Sequence, residues 1–466
     1  MAKPLIKAIA LDLGSTSVKA ALLDQHGELC HITALPAPAL HVDGGTFESD
    51  ALAYAATAEQ VLNACRQHAG DALPLGLCSQ RSSFLLWHAA TGLPVTPLIS
   101  WQDNRGAASC MALHGQEALI HELTGLRLTP YYFAPKLRIV LQQNPAWRAQ
   151  LASGELLVGT LDTFLIWRWS NGQHHITDAS MAARTLLMDI GTQQWSAQLC
   201  NLFDIPPGAL PAITPSAGLA LQLQHGLTLQ ASMGDQSAAL IASMDAGSSD
   251  VLVNLGTGGF VMRYLNAPSP PSGYLHTLVY QESRLKTHIA IEGTLNSIAA
   301  ALAAYPAAAC RVEELAQLDI YCLSEPSGLG APYFRNDLGL IFSAAIDELT
   351  PRQIAALLLE GIIFRVARIL EEFQAGADTG NVYLPDVYLS GGLSELNCLQ
   401  QGIALCTPCA VFHLQQHDTS LQGAALLAAG IPPGSHRQAE RVLVSHDGKA
   451  LQEKYQRWKV WLDGLL

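Results

Sequence analysis

Charge is scarce in this sequence of 466 residues: Asp, Glu, Lys and Arg together make up 14% of it, and no basic run occurs. The 39 acids outnumber the 26 Lys and Arg, for a formal net charge of -13. A surface for nucleic acid or anionic lipid needs clustered cations, so neither is expected as a partner, while a local positive pocket for a phosphorylated ligand stays open. Long apolar runs are missing too. None approaches the roughly 18 residues of a membrane span, and no signal-like core develops before Asp12, so a cytoplasmic protein is expected. The ten cysteines lack the dense spacing of a disulfide scaffold. Their one C-x-x-C, Cys406 and Cys409, has no second pair or fitting histidines for zinc and reads as buried small hydrophobes. H-E-x-x-H, the phosphate loop G-x-x-x-x-G-K-[ST] and the dinucleotide fingerprint G-x-G-x-x-G are all absent, which removes zinc-protease, P-loop and Rossmann chemistry.

What is present is apolar and periodic. At 49% hydrophobic the chain can bury large cores, and its length favours two or three domains. LDLGSTSVKAALLD, residues 11 to 24, reads as strand, Gly-rich turn, strand. Asp12 stands at the strand tip, and Gly14, Ser15, Thr16 and Ser17 form the turn. Small residues let backbone N–H groups approach an anion, and a carboxylate beside such a nest suits a Mg²⁺ bridged to phosphate; an ordinary hairpin is the competing reading. A strand over 74 to 80 ends in Ser79-Gln80-Arg81-Ser82, and a helix over 50 to 68 follows Asp50 as its cap. Asp235, in Gly234-Asp235-Gln236, sits at the start of a small-residue helix, where the dipole favours a carboxylate and an N-cap is the simplest role. Residues 250 to 265, DVLVNLGTGGFVMRYL, repeat the opening with Gly256, Thr257 and Gly258 in the turn, which implies two related halves. A helix is expected after Gly293, a long one over 351 to 374, a strand, Gly391-Gly392 turn and helix over 387 to 406, and a small-residue helix over 419 to 429. Alternating strands and helices predict an α/β layer architecture.

These pieces together resemble the FGGY family of carbohydrate kinases, over nearly the whole chain. The order is LDLGSTS (11 to 17), SQR (79 to 81), PYYFAPK (130 to 136), GDQ (234 to 236), VNLGTGGF (253 to 260), GLGAPYF (328 to 334) and SGGLSELN (390 to 397). The resemblance implies two actin-like, ribonuclease-H-like domains, 1–244 and 245–466, with ATP and a sugar or polyol meeting in the cleft between them. It implies Asp235 as general base and Asp12 as the residue of Mg²⁺, with Asp235 sharing the ion through water. Gly14, Ser15, Thr16, Ser17, Gly256, Thr257 and Gly258 would meet the ATP phosphates, and Gly391, Gly392 and Asn397 the adenosine. Gln80, Arg81, Trp101, Asp103, Tyr131, Asp235 and Gln236 would line the sugar side, with an ion pair for Arg81 and core packing for Trp101 as alternatives. A homodimer is left open.

One departure bears on substrate. Glycerol kinases of this family place Glu after Gln-Arg, whereas this chain has Ser82, shorter and neutral. Losing an acceptor aimed at a hydroxyl disfavours glycerol and points to a longer ketose or sugar alcohol. Two other classes compete: a non-catalytic sugar or nucleotide sensor, against which the presence of Asp12 and Asp235 speaks, and an actin-like or chaperone-type ATPase, disfavoured by the sugar-side motifs.

Overall fold

The computed structural model describes residues 5–69, 73–265, 273–283, 286–375, 384–444 and 447–466. The chain forms two compact units. The first comprises Met1–Asp245, His276–Ile289 and Asp418–His436, and the second Ala246–Leu275, Ala290–His417 and Arg437–Leu466.

The first unit is built on a six-stranded sheet. Ile6–Leu13, Ser17–Asp24 and Leu29–Pro36 form an antiparallel meander. Pro74–Ser79 pairs parallel with Ile6–Leu13, Thr228–Gly234 parallel with Pro74–Ser79, and Ala217–Gln222 antiparallel at the edge. Within Ile6–Leu13, residues Ala8, Ile9, Ala10 and Leu11 read as a continuous apolar run because both faces are covered there. Ile9, Leu11 and Leu13 pack with Tyr54, Ala58 and Val61 of the helix Ala51–Arg66. The alternate residues, Asp12 among them, face the helix Thr419–Ala429. Asp50 caps Ala51–Arg66 by accepting from the Leu52 and Ala53 N–H groups at 2.8 and 3.1 Å. A second sheet of five short strands carries the segments after Gln80 and before Trp101.

In the second unit, Ala290–Leu295, Gly259–Tyr264 and Val251–Leu255 form an antiparallel meander. Val387–Ser390 and Val411–Leu414 then add in parallel, and Ala439–Arg441 adds antiparallel at the edge. Five of these strands, from the meander to Val411–Leu414, follow the chain order and sense of the first unit's sheet, so the repeat inferred from the two hairpins extends to five strands; the edge strand follows its neighbour in the chain here and precedes it in the first unit. Pro351–Ala375 runs through the core of this unit, where Ile362, Val366 and Ile369 pack with Val253, Leu255 and Ile291.

One expectation is amended. The helix expected directly after Gly293 is strand until Leu295, with only Ile298–Leu302 helical. Gly293 lies so close to the long helix that a Cβ there would sit 2.8 Å from Ile369, a contact only an extended, side-chain-free residue permits. Beyond the strands expected from sequence, His41–Asp43 and Thr46–Ser49 form a hairpin that turns at Gly44 and Gly45. Asp418–His436 packs with the first unit, although it lies far along the chain.

Candidate active site

Asp12 is the penultimate residue of its strand, in register with Cys78 on the parallel neighbour. Its Oδ2 accepts from Ser420 Oγ at 2.6 Å. Its Oδ1 is buried and has no hydrogen-bond partner. Burial, and secondarily the nearby Asp235 carboxylate, push Asp12 up to about 6 against the hydrogen bond from Ser420, the Cys78 thiol and the Lys19 charge. A buried, unpartnered carboxylate oxygen is costly unless a cation uses it. Among the described residues no group of three or more His, Cys, Asp or Glu is arranged to cage a metal. Two carboxylates with a free oxygen, and no full cage, match the donor set of Mg²⁺, which keeps waters and phosphate oxygens as its other ligands.

Asp235 is the first residue of the helix Asp235–Ser243, and Gly234 is its N-cap. Asp235 Oδ1 accepts from the Gln236 N–H at 2.8 Å and lies 3.7 Å from Arg81 Nε. Arg81 is almost fully buried and also donates to the Gln236 side-chain oxygen. Desolvation raises the pKa of Asp235, opposed by Arg81, the Gln236 N–H and Arg184. Since 34% of its side chain reaches solvent, that upward push is smaller than full burial would give. The loop before the helix is held from behind: Asp178 accepts from Ser180 Oγ at 3.1 Å and Ser216 Oγ at 2.6 Å, and Ser180 Oγ accepts from the Gly234 N–H at 3.0 Å.

Two residues expected to touch sugar are engaged inside the fold. Gln80 donates to Tyr54 Oη at 3.1 Å and the Gly14 carbonyl at 3.5 Å, and accepts from Ser83 Oγ at 2.9 Å. It ties the phosphate hairpin to the SQR segment. Asp103 accepts from the Phe47 N–H at 2.7 Å, the Arg105 N–H at 3.0 Å and the Arg105 guanidinium at 2.7 and 2.9 Å, which fills all four lone-pair positions. Against desolvation, these bonds hold its carboxyl below the usual range. Trp101 and Tyr131 are different: their rings pair at 5.5 Å, both half-buried. Ser82 adopts a φ of 63° and donates to the Arg184 carbonyl at 3.0 Å. Lys136, fully buried, donates to the Ser82 and Ser100 carbonyls at 2.9 and 2.8 Å and so joins the SQR and WQD segments. Burial lowers its ammonium to about 7.

In the first hairpin, Ser15 and Thr16 are exposed and Ser17 half-buried. The turn is tight because Gly14 abuts the Ser17 carbonyl, which a Cβ would approach to 2.8 Å. In the second unit, the Gly256 N–H donates to the Gly258 carbonyl at 2.8 Å and the Thr257 carbonyl accepts from the Ala299 N–H at 3.2 Å. The position matching Asp12 is Asn254, whose amide donates to Ser390 Oγ at 3.0 Å. Only the first hairpin therefore carries a carboxylate. The second lies beside the Gly391-Gly392 turn, because Asn254 pairs with Ser390. Gly391, at φ 88°, would place a Cβ 2.5 Å from the Leu255 carbonyl, whereas a Cβ at Gly392 meets nothing within 4 Å. Glycine at 391 is thus demanded by the fold and at 392 is not. Asn397 is exposed at the start of the helix Asn397–Cys406 and accepts from Gln401 at 2.9 Å.

Sequence reasoning missed Ser420, Lys136, Ser180 and Ser83. The Thr177-Asp178-Ala179-Ser180 cap pattern was a usable signal for one of them. Nothing in sequence links Ser420 to Asp12, 408 residues away.

Two sheets that share order and sense over five strands, each bearing a phosphate-type hairpin, define an actin-like, ribonuclease-H-like fold of phosphotransferase type. Sequence profiles of the FGGY family of carbohydrate kinases match its N-terminal domain to residues 7–248 and its C-terminal domain to residues 251–430. The apulose kinase of Pectobacterium atrosepticum is 31% identical, with 97% of this chain and 96% of that protein covered. The glycerol kinase of Gloeobacter violaceus is 32% identical, with 97% and 95% covered. The crystal structure of Plasmodium falciparum glycerol kinase with ADP superposes with a TM-score of 0.86 at 21% identity, covering 99% of this chain and 98% of that one. The chain belongs to the FGGY family of carbohydrate kinases and is an ATP-dependent kinase of a sugar or polyol. Among the described residues, no helix is long and apolar enough to cross a membrane.

Proposed function

We propose that this kinase phosphorylates a hydroxyl of a ketose or sugar alcohol longer than glycerol, with Asp235 as general base. The observation that carries the substrate reading is Ser82, whose short hydroxyl is turned to the Arg184 carbonyl where glycerol kinases carry a carboxylate. With Asp103 neutralised by Arg105, Asp235 is the one expected sugar-side carboxylate left to meet a hydroxyl. Relatives named for apulose and for glycerol are about equally similar, so identity does not choose between them.

In this reading the attacking hydroxyl lies within hydrogen-bond reach of Asp235, which takes its proton as the oxygen bonds to phosphorus. Arg81 and the Gln236 N–H hold that carboxylate in place. The rings of Trp101 and Tyr131 offer an apolar wall for the carbon face of the substrate, while Gln80, Asp103 and Lys136 position the segments that bear the contacts. Ser15, Thr16, Ser17, Thr257 and Gly258 donate to the ATP phosphates, countering charge on the transferring group. Gly392 leaves room for adenosine against the backbone. Asp12 and Asp235 would hold Mg²⁺, which when bound neutralises phosphate charge and orients the γ-phosphate.

A panel of polyols, ketoses and aldoses scored for stimulated ADP release tests the substrate class. A response led by glycerol would overturn the role given to Ser82. Asp235→Asn is expected to lower sugar-dependent turnover by about 10²–10⁴-fold or more, with ATP binding retained. Wild-type turnover in that variant removes Asp235 from the role of base.

A further inference from the structure

The helix Thr419–Ala429 belongs to the first unit although it lies far along the chain. It is fixed there on several sides. Lys19 pairs with Asp418 at 2.5 Å, and Gln422 donates to the Gly27 carbonyl at 2.9 Å. Side-chain-free contacts bring backbones together: a Cβ on Gly423 would fall 1.8 Å from the Ala238 carbonyl, and one on Gly76 would fall 2.1 Å from the Ala424 carbonyl. The helix therefore touches the strand that precedes Gln80 and the helix that begins with Asp235. From that fixed frame, Ser420 reaches Asp12 Oδ2 at 2.6 Å, while the Ser420 carbonyl accepts from Cys78 Sγ at 3.5 Å. The other oxygen of Asp12, Oδ1, is buried and unpartnered.

We infer that Ser420 is a positioning residue for the cation, fixing the Asp12 carboxylate through Oδ2 so that Oδ1 alone is presented to the metal. A carboxylate turns easily about its terminal torsion, whose energy profile is broad and roughly two-fold. A single strong hydrogen bond to one oxygen removes that freedom, and groups of this kind behind a metal ligand tune its affinity. Ser420 touches neither sugar nor nucleotide in this scheme; it acts through Asp12. The inference rests on the reading of Asp12 as the cation's residue.

The test uses the full-length enzyme and Mn²⁺ as the probe, its binding in the presence of ADP read by electron paramagnetic resonance. Ser420→Ala is expected to weaken Mn²⁺ binding by about 10- to 100-fold, to leave ATP binding in EDTA at the wild-type level, and to regain kcat when Mg²⁺ is raised. Ser420→Thr, which keeps the hydroxyl, restores Mn²⁺ affinity. Wild-type Mn²⁺ affinity in Ser420→Ala, alongside its loss in Asp12→Asn, overturns the role of Ser420 alone. Wild-type affinity in Asp12→Asn overturns the reading of Asp12 and this inference with it. A lowered melting temperature with unchanged Mn²⁺ affinity assigns Ser420 a purely structural place and overturns the inference.

Discussion

Burial holds Asp12 near 6 and moves Asp235 upward, yet the proposed chemistry needs both ionised. Because the folded pKa of Asp12 exceeds its ordinary 3.8, its ionisation costs stability above about pH 6, and that cost vanishes as pH falls below 3.8. Activity runs the other way. At low Mg²⁺, kcat/KM is expected to fall as pH drops through about 6, and added Mg²⁺ should move that limb to lower pH, since cation and proton compete for one carboxylate. Profiles at two Mg²⁺ concentrations check this; a limb that does not move counts against Asp12 as the metal's residue. The placement of Asp12 near a strand end and of Asp235 at a helix start was legible in the sequence because each sits in a short motif whose neighbours are local. The contacts of Gln80 and Asp103 within the fold were not legible, because partners such as Tyr54 and Phe47 lie 26 and 56 residues away.

At the scale of elements, the strands buried on both faces were readable as apolar runs, and the helices Ala51–Arg66 and Pro351–Ala375 from their caps and periodicity. Short strands such as His41–Asp43 were not, because all three residues are exposed and no hydrophobic pattern marks them. The two glycines after Val387–Ser390 show how a turn divides between fold and ligand. Gly391→Ala forces a Cβ against the Leu255 backbone at positive φ, a conformation that alone costs about 1–3 kcal/mol. Its unfolding midpoint in urea should drop. Gly392→Ala has open space, so it should unfold like the wild type while raising KM for ATP. An unchanged KM would detach Gly392 from adenosine.

For the whole molecule, the repeated hairpin announced two related halves, and the shared order of five strands extends that kinship well past the hairpins. Divergence within the repeat is informative: Asp12 has become Asn254 in the other half, bonded to Ser390, so one half alone keeps the acid. The place of Asp418–His436 was not legible, because it joins the first unit through contacts with residues hundreds of positions earlier. A fragment of residues 1–245 should therefore lack the helix that covers Asp12, Gly76 and Ala238. It is expected to bind a hydrophobic dye and to elute as aggregate on size exclusion, and a monomeric, cooperatively melting fragment would contradict this.

The late helix on an early sheet also sets an order of events during synthesis. The strands of the first unit emerge from the ribosome long before Thr419–Ala429 does, so one face of that sheet stays uncovered while nearly all of the second unit is translated. Native closure of the first unit must wait for that helix, and the interval is when a nascent chain of this kind depends most on chaperone cover.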